Sequence, residues 1–336
     1  MKKLRLDHRF AFGDTVMFTA MVRDIAKTYP GEYEVHVHSN FSPIWWNNPY
    51  VASVNKLKRK DADINAEIRW KSAIRCDGIC DPVAKKYRHL LAWYHHDFSR
   101  KTGIPLNCLQ PRGDLYLSAE EMRPMVSGRY WLFLSGGKLD VTIKHYPREY
   151  YQQVVDLLAS VGLQSVQTGF VGTGHIHPPL TRVTNLLGQS NSPRDLINLV
   201  ANADGVIGPL TAAMHIAAVY DRPYVCLAGG REGPWLSQYT NQYHAFGEYC
   251  EPVKVDQKFL TAIGQLECCR SRGCWRNRVV PIEKKDLEAK RRHLLCVLPD
   301  RTNPEQPIAT CMRAITPSQV FQACLDYYAD GTLPPP

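Results

Sequence analysis

The chain has 336 residues, of which 44% are hydrophobic and 22% are charged, and its formal net charge is +9. This composition indicates a globular protein, and the absence of any run of 18 apolar residues excludes a transmembrane helix. The N-terminus, MKKLRLDHRF, lacks the apolar core of a signal peptide, so we expect a cytoplasmic location. The positive charge favours anionic partners such as nucleotides, phosphorylated glycans or nucleic acid.

The N-terminal part of the chain has the pattern of a βαβ unit. Its apolar spacing predicts a strand at 4–7, a helix at 15–29 and a strand at 33–39, with Pro30 and Gly31 ending the helix. Strands joined through a helix in this way lie parallel in one sheet. We therefore expect an α/β domain over residues 1–127.

A second α/β pattern begins at Arg129. It predicts a strand at 130–134, an amphipathic helix at 147–161 and a strand at 165–172 that ends in glycine-rich chain. We assign residues 128–261 to this second domain. A last helix is predicted at 317–328, within a final segment of residues 316–330.

Residues 192–228 are the most informative stretch. They predict a helix at 195–203, a strand at 205–208, a new helix with Thr211 as N-cap, and a strand at 224–228. In doubly wound sheets, ligands bind beyond the carboxyl ends of the strands, against helix N-termini. His215 lies one turn into the new helix, close to that place; the alternative is a histidine packed between helix and strand.

Residues 262–315 are rich in cysteine and arginine and poor in apolar periodicity, so we predict a small Cys-rich module there. Five of the eleven cysteines fall in it, Cys268 among them. The other four could form a tetrahedral thiolate site for structural zinc or iron, and Cys268 could take the place of Cys269 in it. These four are Cys269, Cys274, Cys296 and Cys311. The alternative is a set of free buried thiols.

Four motifs lie at the strand and helix ends of this pattern: Gly13-Asp14-Thr15, Lys144-His145-Tyr146-Pro147, Thr168-Gly169, and the ten residues Gly208 to Ala217. Together they resemble glycosyltransferase family 9, the heptosyltransferases. The last motif is similar to the family's Gly-Asn-Asp-Ser-Gly-Pro-Met-His-Leu-Ala block. The Cys-rich module resembles the cysteine-bound metal module of autotransporter heptosyltransferases, with different spacing.

The resemblance implies a GT-B fold, in which two Rossmann-like, doubly wound α/β domains face a cleft and the C-terminal domain binds a nucleotide-diphosphate sugar. It implies an inverting glycosyltransferase that transfers a sugar such as heptose to a glycan, a protein or another acceptor. Such an enzyme needs no obligatory catalytic metal. Such a reaction needs a base for the acceptor hydroxyl and positive charge for the leaving diphosphate.

Asp14 is the candidate catalytic base, with the N-cap of the first helix as its alternative role. Lys144 is the candidate for neutralising the diphosphate, against the alternative of a solvated lysine. Glu232, which follows a strand and Gly229-Gly230, is a candidate for the ribose or base of the donor. The remaining donor-binding candidates come from the family motifs: Thr168, Gly169, Thr211, Ala212 and His215.

Two other functions remain open alternatives. Leu210 and Ala212 stand where the family motif has Asp and Gly, so a nucleotide-sugar or glycan binding protein without turnover is one alternative. Action on nucleic acid is another, because four arginines flank Trp275 in the Cys-rich module and could contact phosphates while the ring stacks on a base: Arg270, Arg272, Arg276 and Arg278. The sequence identifies neither the sugar, the acceptor nor the oligomeric state.

Overall fold

The structure, a computed structural model, describes residues 1–68, 87–190, 192–270 and 272–335. The chain divides into two compact units. The first comprises Met1–Pro124, Ala218–Asp221 and Trp235–Asp256, and the second comprises Met125–Ala217, Arg222–Pro234 and Gln257–Pro336. Both units are therefore discontinuous in sequence, whereas the boundaries expected above are contiguous and stay predictions.

Fourteen strands are formed within the described residues. In chain order they are β1 (Lys2–His8), β2 (Tyr33–Ser39), β3 (Ser53–Val54), β4 (Ile64–Glu67), β5 (Tyr130–Phe133), β6 (Gly137–Lys138), β7 (Gln164–Gln167), β8 (His175–Ile176), β9 (Thr184–Asn185), β10 (Gly205–Pro209), β11 (Tyr224–Gly229), β12 (Lys258–Thr261), β13 (Pro299–Asp300) and β14 (Ile308–Ala309).

The described residues also form seven α-helices and seven 3₁₀ helices. The α-helices are α1 (Phe12–Thr28), α2 (Leu90–Thr102), α3 (Arg148–Ser160), α4 (Pro193–Ala201), α5 (Ala212–Val219), α6 (Thr310–Arg313) and α7 (Pro317–Ala329). The 3₁₀ helices are Ser42–Trp45, Arg59–Asp61, Leu139–Lys144, Pro234–Leu236, Glu267–Cys269, Lys284–Leu287 and Ala289–Leu294. None of the helices in the described ranges combines the length and the apolar character that crossing a membrane requires.

The first unit is built on a parallel sheet with the strand order β3-β2-β1-β4. Leu4 on β1 pairs with Val35 on β2 and with Ile64 on β4, and Leu4 and Val35 are buried. Helix α1 follows β1 and buries a continuous run of residues from Thr15 to Ile25. This arrangement confirms the predicted parallel βαβ unit.

Helix α1 begins earlier than its sequence suggests. The structure starts it at Phe12, where Ala11 is the N-cap and makes no side-chain capping bond. The backbone N–H of Thr15 donates to the carbonyl of Ala11 at 3.0 Å, which places Asp14 inside the first turn. The alternative role of Asp14 as N-cap is therefore wrong.

The second unit is built on a six-stranded parallel sheet with the order β12-β11-β10-β5-β7-β9. Its central strands, β10 and β11, are buried along their whole length, as expected for strands covered on both faces. Ser192 and Asp195 form a capping box at the start of α4, and Thr316 and Gln319 form another at α7. The predicted strand at 165–172 ends at Gln167, and the glycine-rich chain after it is a loop.

Residues 262–315 lie in the second unit and contain three short 3₁₀ helices and the antiparallel pair β13 and β14. Ion pairs and backbone bonds hold much of this region. Arg278 pairs with Asp286, and the N–H of Asn277 donates to the carbonyl of Leu294 at 2.8 Å. Apolar side chains are buried mainly toward its end, at Ile308, Met312 and Ile315.

Candidate active site

Asp14 lies in the first turn of α1 and is half-buried. The hydroxyl of Tyr94, on α2, donates to its Oδ1 at 3.3 Å. Tyr94 is fully buried, and this burial, together with the charge of Asp14, raises its pKa well above the usual range. The phenol therefore stays protonated and orients the carboxylate. Sequence reasoning found Asp14 but missed Tyr94, because eighty positions separate the two.

A buried histidine, His8, contacts the backbone of Asp14. His8, the last residue of β1, has no exposed surface and stacks on Phe18 at a centroid distance of 4.2 Å. Burial lowers its pKa to about 3, so the ring is neutral over the physiological range. The neutral His8 ring therefore adds no positive charge beside Asp14.

Three charged side chains of the second unit, Lys144, Arg231 and Glu232, contact one another near its central strands. Lys144 ends a 3₁₀ helix, and its Nζ donates to Oε1 of Glu232 at 3.1 Å and to the carbonyl of Leu210 at 3.0 Å. Arg231 donates to the same Oε1 at 2.7 Å. Leu210 follows β10 and Glu232 follows β11, so the cluster lies at the carboxyl ends of two neighbouring parallel strands.

Both cations hold Glu232 ionised. Burial would raise the pKa of Glu232, but the charges of Lys144 and Arg231 outweigh it and lower the pKa to about 2. Burial and the neighbouring Arg231 charge lower the pKa of Lys144 despite its pairing with Glu232. Two cations thus share one carboxylate, and with both cations protonated these three side chains carry a net charge of +1.

Arg231 is a member of this cluster that the sequence analysis did not select as a site residue. Its Nε donates to the carbonyl of Arg276 at 3.0 Å, and its guanidinium lies 5.3 Å from the ring centroid of Trp275. These contacts come from the Cys-rich module, so that module positions a charged residue of the cluster. Trp275, the predicted stacking residue for nucleic acid, is half-buried and contacts the Arg231 guanidinium.

The motif from Gly208 to Ala217 forms the end of β10 and the start of α5. Thr211 directly precedes the helix, at the predicted N-cap position, but its buried Oγ1 accepts no capping hydrogen bond; Ala212 is the first helical residue. The side chains of Leu210 and His215 are buried, with 6% and 7% of their surface exposed. Lys144 joins this segment through a backbone carbonyl, while His215 stays a prediction as a donor-binding residue.

Thr168 and Gly169 follow β7. The hydroxyl of Thr168 lies 2.5 Å from that of Ser190, and both are buried. A Cβ atom on Gly169 would lie 2.4 Å from the ring of His177, so the loop admits only glycine here without movement. Burial and the charges of His175 and His145 lower the pKa of His177 to about 4. The sequence analysis did not identify His177.

The five cysteines of the Cys-rich module lie near one another. Burial raises the pKa of Cys274, Cys296 and Cys311, and neighbouring thiols add to the effect. All five are reduced and lie within the described ranges, but no three of their sulfurs come within 4.8 Å of one another. The four-cysteine metal site is therefore not formed in this structure.

A different group has ligand atoms that all lie within 4.8 Å of one another. It consists of Asp24, His95 and Cys108, all buried in the first unit. It is the one group of three or more histidine, cysteine and carboxylate side chains with this geometry in the part of the chain that the structure describes. The sequence analysis did not identify it.

The sequence model of glycosyltransferase family 9 (heptosyltransferase) matches residues 69–262, which is more than half of the chain. The chain belongs to glycosyltransferase family 9. It is an enzyme that transfers a sugar, and the family resemblance drawn from the four motifs is confirmed. No curated protein matches the chain in sequence.

Several solved structures share the fold. The glycosyl transferase family 9 protein of Veillonella parvula has a TM-score of 0.59 and 12% identity, with 98% of each chain covered. Escherichia coli ADP-heptose LPS heptosyltransferase II has a TM-score of 0.58 and 16% identity, with 99% of this chain and 100% of that chain covered.

The iron-containing dodecameric glycosyltransferase TibC of enterotoxigenic E. coli has a TM-score of 0.58 and 15% identity, with 98% of this chain and 76% of that chain covered. A second TibC structure, in complex with ADP-D-beta-D-heptose, has a TM-score of 0.57, 13% identity and the same coverage. These likenesses confirm the expected α/β fold class with parallel sheets. The resemblance of the Cys-rich module to autotransporter heptosyltransferases stays a prediction.

Proposed function

We propose that this family 9 enzyme is an inverting glycosyltransferase whose donor is a nucleotide-diphosphate sugar, with ADP-heptose as the first candidate. The family supports sugar transfer, and the names of the similar structures support ADP-heptose as the donor to test. The acceptor is a hydroxyl group of a glycan, a protein or a nucleic acid.

The observation that carries the proposal is the charge balance around Glu232. Lys144 and Arg231 share its single carboxylate, which leaves one positive charge at the carboxyl ends of β10 and β11. The N-terminus of α5 begins beside it, after the carbonyl of Leu210 that Lys144 contacts. A cation surplus and a helix N-terminus are the two features that bind a diphosphate.

In the proposed reaction, Asp14 accepts the proton of the acceptor hydroxyl. The hydroxyl oxygen then forms a bond to the anomeric carbon as the bond from that carbon to the diphosphate oxygen breaks. The electron pair leaves with the diphosphate, and Lys144 and Arg231 stabilise its added charge. Attack opposite to the leaving group inverts the configuration at the anomeric carbon.

Calorimetric titration with ADP and with ADP-heptose tests the donor site. We expect Lys144→Met to weaken both affinities roughly 10- to 150-fold, because a hydrogen bond between charged groups contributes about 1.5–3 kcal/mol. Lys138→Met, at an exposed lysine of β6, is the matched control and should bind as the wild type does. Equal affinities for all three proteins would refute the assignment.

A transfer assay with ADP-heptose tests the base. We expect Asp14→Asn to lower the rate by a factor of about 10² to 10⁴ and to leave ADP binding intact, because a general base acts only in the chemical step. Asp61→Asn, at an exposed aspartate of the first unit, is the control. Loss of ADP binding in Asp14→Asn, or an unchanged rate, would contradict the role.

We also propose that the Cys-rich module binds a structural zinc or iron ion through Cys269, Cys274, Cys296 and Cys311. Its support is the proximity of the thiols, which interact electrostatically with one another. Their sulfurs fit the donor set that both metals accept, and an ion would draw them closer. We expect Cys274→Ser to lose one metal ion per chain by elemental analysis; an unchanged content would refute the proposal.

A further inference from the structure

A fourth ligand stands beside the buried group of Asp24, His95 and Cys108. The Sγ atom of Cys250 lies 3.3 Å from the Sγ atom of Cys108, and Nε2 of His95 lies 2.8 Å from Oδ2 of Asp24. We propose that these four side chains form a tetrahedral Zn²⁺ site inside the first unit, separate from the Cys-rich module. The inference is independent of the proposed donor site.

Three of the four ligand atoms are already close together, whereas Sγ of Cys250 lies outside the group whose atoms are all within 4.8 Å of one another and must move toward Asp24 and His95 to complete a tetrahedron. In a tetrahedron with Zn–N and Zn–O bonds of about 2.0 Å and Zn–S bonds of about 2.3 Å, ligand atoms lie roughly 3.3–3.8 Å apart. The two measured pairs, at 2.8 Å and 3.3 Å, must each open by about half an ångström to reach that geometry. Two thiolates, one imidazole and one carboxylate are a donor set that zinc accepts.

The surrounding groups already orient the ligands. Nδ1 of His95 faces the carbonyl of Leu91 at 3.0 Å, and since a carbonyl only accepts, Nδ1 carries a proton; Nε2, which faces Oδ2 of Asp24 at 2.8 Å, is then the nitrogen that would bind a metal. Oδ1 of Asp24 accepts from Nε of Arg23 at 2.8 Å, and the N–H of Leu109 donates to Oδ2 at 3.0 Å. Outer contacts of these two kinds accompany histidine and carboxylate ligands in metal sites.

The ligands come from four separate parts of the chain. Asp24 is on α1, His95 is on α2, Cys108 follows α2, and Cys250 belongs to the segment Trp235–Asp256, which returns to the first unit. An ion held by all four would fasten this returning segment to the two helices. Its role would be structural, because four protein ligands leave no position for a substrate.

The test uses the full-length protein, purified with a reductant, stripped with a chelator and loaded with Zn²⁺ or Co²⁺. We expect Cys250→Ser and Cys108→Ser each to bind one metal ion fewer per chain than the wild type. Cys324→Ser, which alters a buried thiol of α7, is the matched control and should keep the wild-type content. The Cys274→Ser background removes the ion proposed for the Cys-rich module, so the two sites are counted separately.

A second test of the site measures thiol protection in the wild-type protein. Alkylation followed by mass spectrometry should show Cys108 and Cys250 protected in the Zn²⁺-loaded protein, and Cys250 reactive after chelation, because it is the partly exposed member of the pair. Equal metal content in Cys250→Ser and the control would overturn the site. The site would also be overturned if protein purified without reductant contains a Cys108–Cys250 disulfide and the reduced protein takes up no metal at these residues.

Discussion

Replacing Glu232 by glutamine tests the charge balance of the proposed donor site. The carboxylate is 7% exposed and accepts hydrogen bonds from both Lys144 and Arg231. Glutamine keeps the shape and an acceptor oxygen, but it leaves two half-buried cations, whose side chains are 23% and 17% exposed, without their shared counter-charge. The lowering of the Glu232 pKa from 4.5 to about 2 corresponds to about 3 kcal/mol of folding free energy that favours the ionised carboxylate.

The pH dependence gives this prediction its signature. A carboxyl group whose pKa is lower in the folded state stabilises the fold fully above its unfolded pKa, here 4.5, and loses that contribution as the pH falls toward 2. Equilibrium urea unfolding should therefore show Glu232→Gln less stable than the wild type by about 3 kcal/mol at neutral pH. The difference should shrink below pH 4.5, where the wild-type carboxyl group begins to protonate.

Glu149→Gln is the matched control. Glu149 pairs with Arg313 at 3.1 Å on the surface of the same unit, and its side chain is 46% exposed. Exposed ion pairs contribute about 0–1 kcal/mol, so this variant should stay close to the wild type at every pH. A Glu232→Gln difference no larger than the control, or one that does not change with pH, would refute the reasoning.

Three further predictions follow from single contacts. Tyr94→Phe removes the bond to Asp14 and should lower the transfer rate about fivefold, the effect of one net hydrogen bond, without changing ADP affinity; an unchanged rate would show that the phenol does not orient the base. Gly169→Ala places a Cβ atom 2.4 Å from the His177 ring and should cost about 1–3 kcal/mol in urea unfolding, which the added change His177→Ala should largely restore. His8, with a pKa of about 3 in the fold against an ordinary 6.5, should make stability fall by about 1.4 kcal/mol per pH unit below 6.5, and His8→Phe should flatten that slope; parallel curves for the two proteins would contradict it.

The regular elements with strong apolar patterns were predictable from the sequence. The strand at 33–39 has the predicted bounds, and the last helix ends one residue beyond its prediction. The start of α1 was not predictable, because Ala11 caps it without a side-chain bond and so leaves no signal. The strands β3, β8 and β9 were also missed as separate elements, since two residues are too few to show a period.

The candidate site was predictable where it follows strand ends in sequence. Lys144 was selected from its family motif, just before a predicted helix, and Glu232 from its position after a predicted strand, and the structure joins them. Side chains whose partners are remote gave no such signal. Cys108 and Cys250 are 142 positions apart, and His95 reads as one polar residue of a helix that packs against α1. Their grouping depends on tertiary packing, which a single sequence does not reveal.

Leu210, which stands where the family motif has Asp, affects diphosphate binding and sugar binding in the proposed donor site differently. Its side chain is buried, and its link to Lys144 runs through the backbone carbonyl, which any residue supplies. The substitution of the family's aspartate therefore leaves the anchoring of Lys144, and with it the surplus positive charge, unchanged. What it removes is a carboxylate at the end of β10, and a carboxylate there is suited to sugar hydroxyls rather than to phosphates. Diphosphate binding should thus be retained, and the choice of sugar is the property in which we expect this enzyme to differ from relatives that carry the aspartate.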